Sequence, residues 1–327
     1  MAIFGNTKLS LLMGLIAASG LTATPSASFA QKYPSQDIHL ICAFPPGSGS
    51  DVVVRYYAEK LRQKAGVSVL VENRPGVAGN LAAEYTVRSK PDGYTIYLHT
   101  GSALASNFWL YKKPPIDPVK DLQVVATMNV QPFMVMVANN SPYKSLRELT
   151  AAMKARGDKA SYAESNSVGK VMGELYKTAT GVNAVDVPYR TAPDTLNDFA
   201  SGAIDYGMMD PQFSTAQANA GRLRMLAVSM GSRMQSLPDV PTMKEQGADV
   251  EIVGWFAANV PAATPRAVVE QLNKWFNEIT GTDETRKFLA GFGTDVWMST
   301  PEEGQARLVK DKAAWEGHVK AAKIDPQ

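Results

Sequence analysis

The stretch Phe44-Pro45-Pro46-Gly47-Ser48-Gly49-Ser50-Asp51 carries the clearest chemistry in the sequence. Strand-forming residues, His39 to Ala43, come before it, and a helical pattern, Val52 to Leu61, comes after. A strand, a Gly/Ser-rich turn and a helix start make an anion site, because free backbone N–H groups and the positive end of the helix dipole converge there. Gly47 and Gly49 let an anion approach the backbone, and Ser48 and Ser50 add hydroxyl donors. The competing reading is a helix cap by Ser50 or Asp51 that holds no ligand. One helix start can do both. Asp51 would repel an anion, so its expected part is to order the loop or a bridging water.

A second polar turn, Ser165-Asn166-Ser167-Val168-Gly169, is built in the same way between a strand and a helix. Its competitor is a plain capped loop. Lys170 and Arg190 are the candidate cations for a second carboxylate, set against the usual solvated Lys or Arg. Asp210 ends a strand and is either an acceptor at the site or a turn former. Gly101 and Ser102 read as a further small-residue turn at the end of a strand. Phe44 and Tyr162 abut the two anion turns and are the rings best placed to line a slot, although a core position is the commoner fate of such residues.

These turns need a scaffold that delivers them to one place. From Tyr33 onward, short β-branched runs alternate with longer helical stretches: strand 38–43, helix 51–65, strand 67–72, helix 79–89 and strand 94–99. That order predicts a parallel sheet with right-handed crossovers, and ligands of open α/β sheets sit at the carboxyl ends of the strands. The same grammar resumes after residue 130, and apolar residues 251–260 read as a strand returning to the first sheet. The predicted organisation is a split first domain, 31–129 with 254–327, and a second domain, 130–253, facing each other across a cleft.

Composition excludes several alternatives. With 327 residues, 33 Lys plus Arg against 31 Asp plus Glu, and a net charge of +2, the chain has no basic run and no electrostatic footprint for nucleic acid. Cys42 is the sole cysteine, so neither an internal disulfide nor a Cys-rich metal site is possible. His39 and His99 fall in buried strand patterns and His318 in an amphipathic helix, with no metal-ligand or nucleophile spacing around them. No cofactor or metal is expected. Lys8, the apolar run Leu9 to Leu21 and the small residues of Ser28-Phe29-Ala30 read as a secretory signal, residues 1–30, so the mature chain is expected to be exported.

Several stretches together resemble one family: Tyr33-Pro34, Phe44-Pro45-Pro46-Gly47, Val71-Glu72-Asn73-Arg74-Pro75-Gly76, Pro91-Asp92-Gly93-Tyr94, Val187-Pro188-Tyr189, Leu237-Pro238-Asp239-Val240-Pro241-Thr242 and Pro261-Ala262-Ala263-Thr264-Pro265. In order and over essentially the whole mature chain, they are similar to the Bug-type solute receptors of tripartite tricarboxylate transporters. The resemblance implies an α/β, type II periplasmic binding protein with two doubly wound domains around a ligand cleft, a Venus flytrap. It also implies a carboxylate held between Pro46 to Asp51 and Ser165 to Gly169, and delivery to a permease of large and small subunits. The chain departs from the common pattern at Ser48 and Ser50, where glycines and Thr are usual, at Lys170 in place of His, and at Thr191 in place of Gly.

The expectation is therefore a monomeric binding protein without enzymatic activity that captures an organic carboxylate, a dicarboxylate that is aliphatic or aromatic (phthalate-type). The alternatives are a co-receptor presenting its ligand to a sensor kinase, and a secreted enzyme using Asp51 or Asp210 as base.

Overall fold

Apolar runs and amphipathic stretches alternate through residues 33–326, the part of the chain that the computed structural model describes. The expected leader, 1–30, lies outside these residues. In chain order the first elements are β1 (Ile38–Cys42), α1 (Gly49–Ala65), β2 (Val69–Asn73), α2 (Asn80–Val87), β3 (Thr95–Thr100), α3 (Gly101–Leu110), α4 (Pro118–Asp121) and β4 (Leu122–Gln131). Next come β5 (Met134–Ala138), α5 (Leu146–Arg156), β6 (Ala160–Glu164), α6 (Ser167–Thr180), β7 (Ala184–Pro188), α7 (Leu196–Ser201), β8 (Tyr206–Met209), α8 (Pro211–Asn219) and β9 (Leu223–Val228). The last are β10 (Gly254–Pro261), α9 (Arg266–Thr280), α10 (Asp283–Ala290), β11 (Asp295–Val296) and α11 (Pro301–Ala321). No helix among the described residues is long and apolar enough to cross a membrane.

The strands form two sheets, ordered β11-β4-β10-β3-β1-β2 and β7-β6-β8-β5-β9. β1 runs parallel to β2 and β3, and β6 runs parallel to β7 and β8, as strand–helix–strand crossovers require. Both sheets are nevertheless mixed, because β10 enters the first antiparallel to β3 and β4, and β5 enters the second antiparallel to β8 and β9. Ile38, Leu40 and Cys42 of β1 pack with Val53, Tyr57 and Leu61 of α1 and with Leu272 and Phe276 of α9 on one face of the first sheet. Ile41 and Tyr97 join a cluster on the other face that runs through Leu104 and Trp255 to Tyr162 and Met172 of the second sheet's layer. The two sheets thus share apolar packing through α3.

The chain crosses between sheets at adjacent points. β4 ends at Gln131 and β5 starts at Met134, while β10 re-enters at Gly254, paired with Gln131. A Cβ on Gly254 would lie 2.8 Å from both the Gln131 Cγ and its carbonyl oxygen, so only glycine lets the two crossing strands lie this close.

One element departs from expectation. The turn expected at Gly101 and Ser102 is the first turn of a helix, α3, which leaves β3 without a loop. Gly101 through Asn107 are all buried, so α3 has no polar face and hence no amphipathic period to reveal it. Gly101 is needed because a Cβ there would lie 2.0 Å from Trp255 Cζ2. Gly101→Ala should therefore destabilise the protein by about 1–3 kcal/mol through overpacking. Gly317→Ala in α11, where a Cβ meets nothing within 4 Å, should stabilise it by about 0.5–1 kcal/mol, and urea unfolding of both variants checks the contrast.

Candidate functional site

The first turn is held from within. Ser48 adopts φ −69°, ψ 159° and caps α1, its Oγ accepting from the Asp51 N–H at 3.3 Å. The cap is thus Ser48 rather than Ser50 or Asp51, and Gly49 and Ser50 become the first helical positions, whose N–H groups have no intrahelical acceptor. Gly47, at φ +79°, donates its N–H to Asp51 Oδ2 at 2.8 Å. Arg55 Nε donates to the same oxygen at 2.8 Å, and Asn73 Nδ2 donates to Oδ1 at 2.7 Å. Asp51 is buried, which would raise its carboxyl pKa, but the bonds from Arg55, Asn73 and Gly47 outweigh burial and hold it below the usual range. Its carboxylate is fully engaged in shaping the loop. Pro46 and Gly47 are exposed, and Phe44 leans on the His99 ring at 5.1 Å.

The second turn repeats the device. Asn166 caps α6 through Oδ1, accepting from the Gly169 N–H at 2.9 Å, so Ser167 and Val168 occupy the first helical positions. Gly169 lets α6 press onto β8: a Cβ there would lie 2.6 Å from the Met208 carbonyl oxygen. Glu164 lies buried just before this turn. Burial, with Asp186 nearby, pushes its carboxyl up to about 7 against the opposing Asn166 N–H and Lys170.

Three expected site residues take other roles. Tyr162 is fully buried; its ring packs where a Cβ on Gly173 would lie 2.2 Å away, and its hydroxyl donates to Glu174 at 2.9 Å. It belongs to the core beneath α6, because β6 turns odd and even residues to opposite faces. Lys170 pairs with Asp186 at 3.6 Å. Asp210 caps α8, accepting from the Phe213 N–H at 2.9 Å, while burial raises its carboxyl pKa against the bonds from Phe213 and Gln212. Arg190, just past the carboxyl end of β7, is exposed and has no ion-pair partner among the described residues.

The sheets gather these pieces. β1 and β3 are parallel neighbours, so the starts of α1 and α3 lie side by side; β6 and β8 do the same for α6 and α8. Across the gap, a Cβ on Gly49 would lie 2.5 Å from Gln212 Cβ of α8, and Ser167 Oγ donates to Asn107 Oδ1 of α3 at 3.3 Å. Gln212 Nε2 donates to Gln131 Oε1 at the strand crossing at 3.2 Å. The positive ends of all four helix dipoles therefore surround one region. Gln131, Gln212, Asn80, Asn107 and His99, which border this gap, were not singled out by the sequence: Asn80, His99 and Gln212 sit in segments that read as ordinary helix or strand, Gln131 in the break between two apolar runs, and Asn107 in α3, which has no amphipathic period. A surface hollow of 670 Å³ beside Asp37, His39, Glu72 and Lys90 lies at the amino ends of β1 and β3 and shares no residue with the two turns.

Two α/β sheets with paired helix starts facing each other over adjacent strand crossings define a two-lobed, type II solute-binding protein. A family model described as "Tripartite tricarboxylate transporter family receptor" matches residues 53–323, and the chain belongs to that family. It is a solute-binding receptor and not an enzyme. Protein BugT of Bordetella pertussis is 29% identical over 320 residues, covering 96% of this chain and 97% of its own length. Among solved structures, R. palustris Rpa4515 with adipate superposes with a TM-score of 0.84 at 30% identity, covering 90% of this chain and all of that one. The periplasmic binding protein BugD gives a TM-score of 0.81 at 27% identity, with 90% of this chain covered.

The folded protein favours the protonated form of Glu164, so its contribution to stability is full below about pH 4.5 and is lost as pH rises through about 7. Glu164→Gln carries no such penalty. Relative to the unmodified protein, it should gain on the order of 1–3 kcal/mol of unfolding free energy between pH 5 and pH 8, as urea titrations at the two values would measure.

Proposed function

We propose that this receptor captures an organic dicarboxylate in the periplasm, closes over it, and presents it to a membrane permease of the tripartite tricarboxylate type. The observation that carries the reading is the pair of capped helix starts, Ser48 to Ser50 and Asn166 to Val168, on different sheets and linked by contacts across the gap. The amide N–H groups of Gly49, Ser50, Ser167 and Val168, with the hydroxyls of Ser50, Ser165 and Ser167, would share one carboxylate between lobes. Such contacts form only when both lobes meet, so the ligand stabilises the closed arrangement by its differential affinity. The lobes are 31–129 with 254–327 and 130–253, hinged where β4 and β10 cross.

Arg190, exposed and unpaired beside the second turn, is the cation for the other carboxylate. Lys170 already answers Asp186. The adipate in the R. palustris relative supports a dicarboxylate, and the Phe44 ring beside the first turn supports an aromatic one such as phthalate as the second candidate.

Titration calorimetry tests this with adipate and phthalate against hexanoate. The dicarboxylates should bind 1:1 without turnover, and Arg190→Ala should erase about tenfold of their advantage over hexanoate, which corresponds to ~1.4 kcal/mol. Failure of every dicarboxylate to bind would refute the reading. Gly49→Val, which forces a side chain against Gln212, should weaken adipate at least about tenfold while leaving the unfolding midpoint near its original value, because it opposes closure rather than folding.

A further inference from the structure

At the edge of the first sheet farthest from β1 and β2, one carboxylate reaches across to the second lobe. Asp295 Oδ2 accepts from the Gln235 N–H at 2.8 Å, and its Oδ1 accepts from the Ser236 N–H at 2.9 Å. Asp295 opens β11, where it pairs with Val130 of β4, the strand from which the chain crosses to the second sheet. Gln235 and Ser236 are the middle residues of a turn closed by the Leu237 N–H on the Met234 carbonyl at 3.2 Å. Arg233 braces that turn within its own lobe, its Nη1 donating to the Pro238 carbonyl at 3.1 Å and its Nε to Glu245 at 2.9 Å. Both sides are thus formed before they meet, and the bonds that join them are of the stronger, charge-assisted kind.

Gly293 lets the lobes nest at this point. A Cβ on it would lie 2.6 Å from Thr215 Oγ1 of α8, 3.0 Å from Leu237 Cδ1 and 3.2 Å from Met134 Cε of β5, all on the second lobe. The contact also covers hydroxyls: Thr215 Oγ1 and Ser236 Oγ are buried with no hydrogen-bond partner among the described residues. A permanent interface satisfies its buried polar groups, so these two mark a contact that opens. Opening gives up the bonds to Asp295 and returns both hydroxyls to water, and the opposed terms keep the contact reversible. Four strand spacings, about 19 Å, separate β11 from β1 in the sheet order, so Asp295 does not touch a carboxylate held at the first turn.

We propose that Asp295 is a latch between the lobes: it grips the turn at Gln235 and Ser236 when the receptor is closed over its ligand and lets go when the lobes part. The inference rests on the two-lobed closure proposed above. Because the latch contributes to the closed arrangement alone, its loss lowers affinity for every ligand by one common factor, whereas a residue that touches the ligand changes their ratio. The sign also separates a latch from a charge effect. Removing an acid from a receptor for anions would strengthen binding through charge alone, and loss of the latch weakens it.

Titration calorimetry with adipate, succinate and phthalate, together with hydrogen exchange resolved at the Gln235 and Ser236 amides, tests the latch. Asp295→Ala should weaken every one of these ligands that binds by the same factor, about tenfold. Asp295→Asn, which keeps one acceptor oxygen, should weaken them less, and it carries the affinity test should Asp295→Ala not fold in thermal melts. Adipate should slow exchange at the two amides at least about tenfold in the unmodified protein and not in the Asp295 variant. Unchanged or tighter binding in the variants, unequal factors among the ligands, or equal protection of the amides with and without adipate overturns the latch and leaves the dicarboxylate reading standing. If none of the three binds the unmodified protein, the dicarboxylate reading falls and the latch is judged on the ligand-free chain. There, exchange at Gln235 and Ser236 as slow as at Val135 and Ala227, paired in the core of the second sheet, makes the contact permanent and overturns the latch, while exchange at least about tenfold faster supports it.

Discussion

The first N–H groups of a helix have no acceptor inside it, and here the starts of several helices meet in one region. This follows from strand order. Parallel neighbours β1 and β3, and β6 and β8, discharge their helices at the same edge of each sheet, so the unsatisfied donors and the aligned dipoles accumulate there. Side-chain caps satisfy only part of the demand. Ser48 and Asn166 each accept one N–H, leaving the first two amides of α1 and α6 to face outward. Helix starts gathered in this way favour an anion before any cationic side chain is considered.

The region is positive in effect but is framed by acids, and each has a reason to be harmless to an anion. Asp51 is ionised, yet it is saturated by Gly47, Arg55 and Asn73 and turned into the loop. Asp210 spends its carboxylate on the cap of α8. Glu164 lies behind the second turn and is held towards its neutral form at physiological pH by burial. Close approach across the gap is permitted by glycines: Gly49 against Gln212, Gly254 against Gln131, and Gly101 under Trp255. The loops are fixed by polar bonds, and the distance between lobes is fixed by absent side chains.

Much of this was legible from residues alone. The alternation of strands and helices and the two Gly/Ser-rich turns between them follow from periodicity and turn chemistry, which are local properties. Helix α3 escaped because burial on all sides erases the amphipathic signature, and Gly101 and Ser102 then looked like a turn. Tyr162 was misplaced because adjacency to a turn in sequence does not say which face of β6 a ring occupies. Lys170 looked free because its partner, Asp186, comes from the neighbouring strand β7. The placements of Tyr162 and Lys170 share one cause: face and partner are decided by sheet order, which no single segment encodes.

The division of labour between backbone and side chains has a consequence for selectivity. Amides at helix starts accept any carboxylate of suitable size, so they supply affinity without much discrimination. Discrimination must come from groups whose desolvation is repaid by one ligand and not by another. Arg190 is exposed, so water competes for any carboxylate it meets and salt screens its charge, which limits its discrimination to about tenfold. The buried side-chain atoms Asn80 Nδ2 and Ser102 Oγ, which lack a hydrogen-bond partner among the described residues, are the opposite case: their desolvation cost is already incurred in the folded protein. The strained Val77-Ala78 backbone that holds bare glycine against His99 is consistent with a place where geometry has been favoured over local stability.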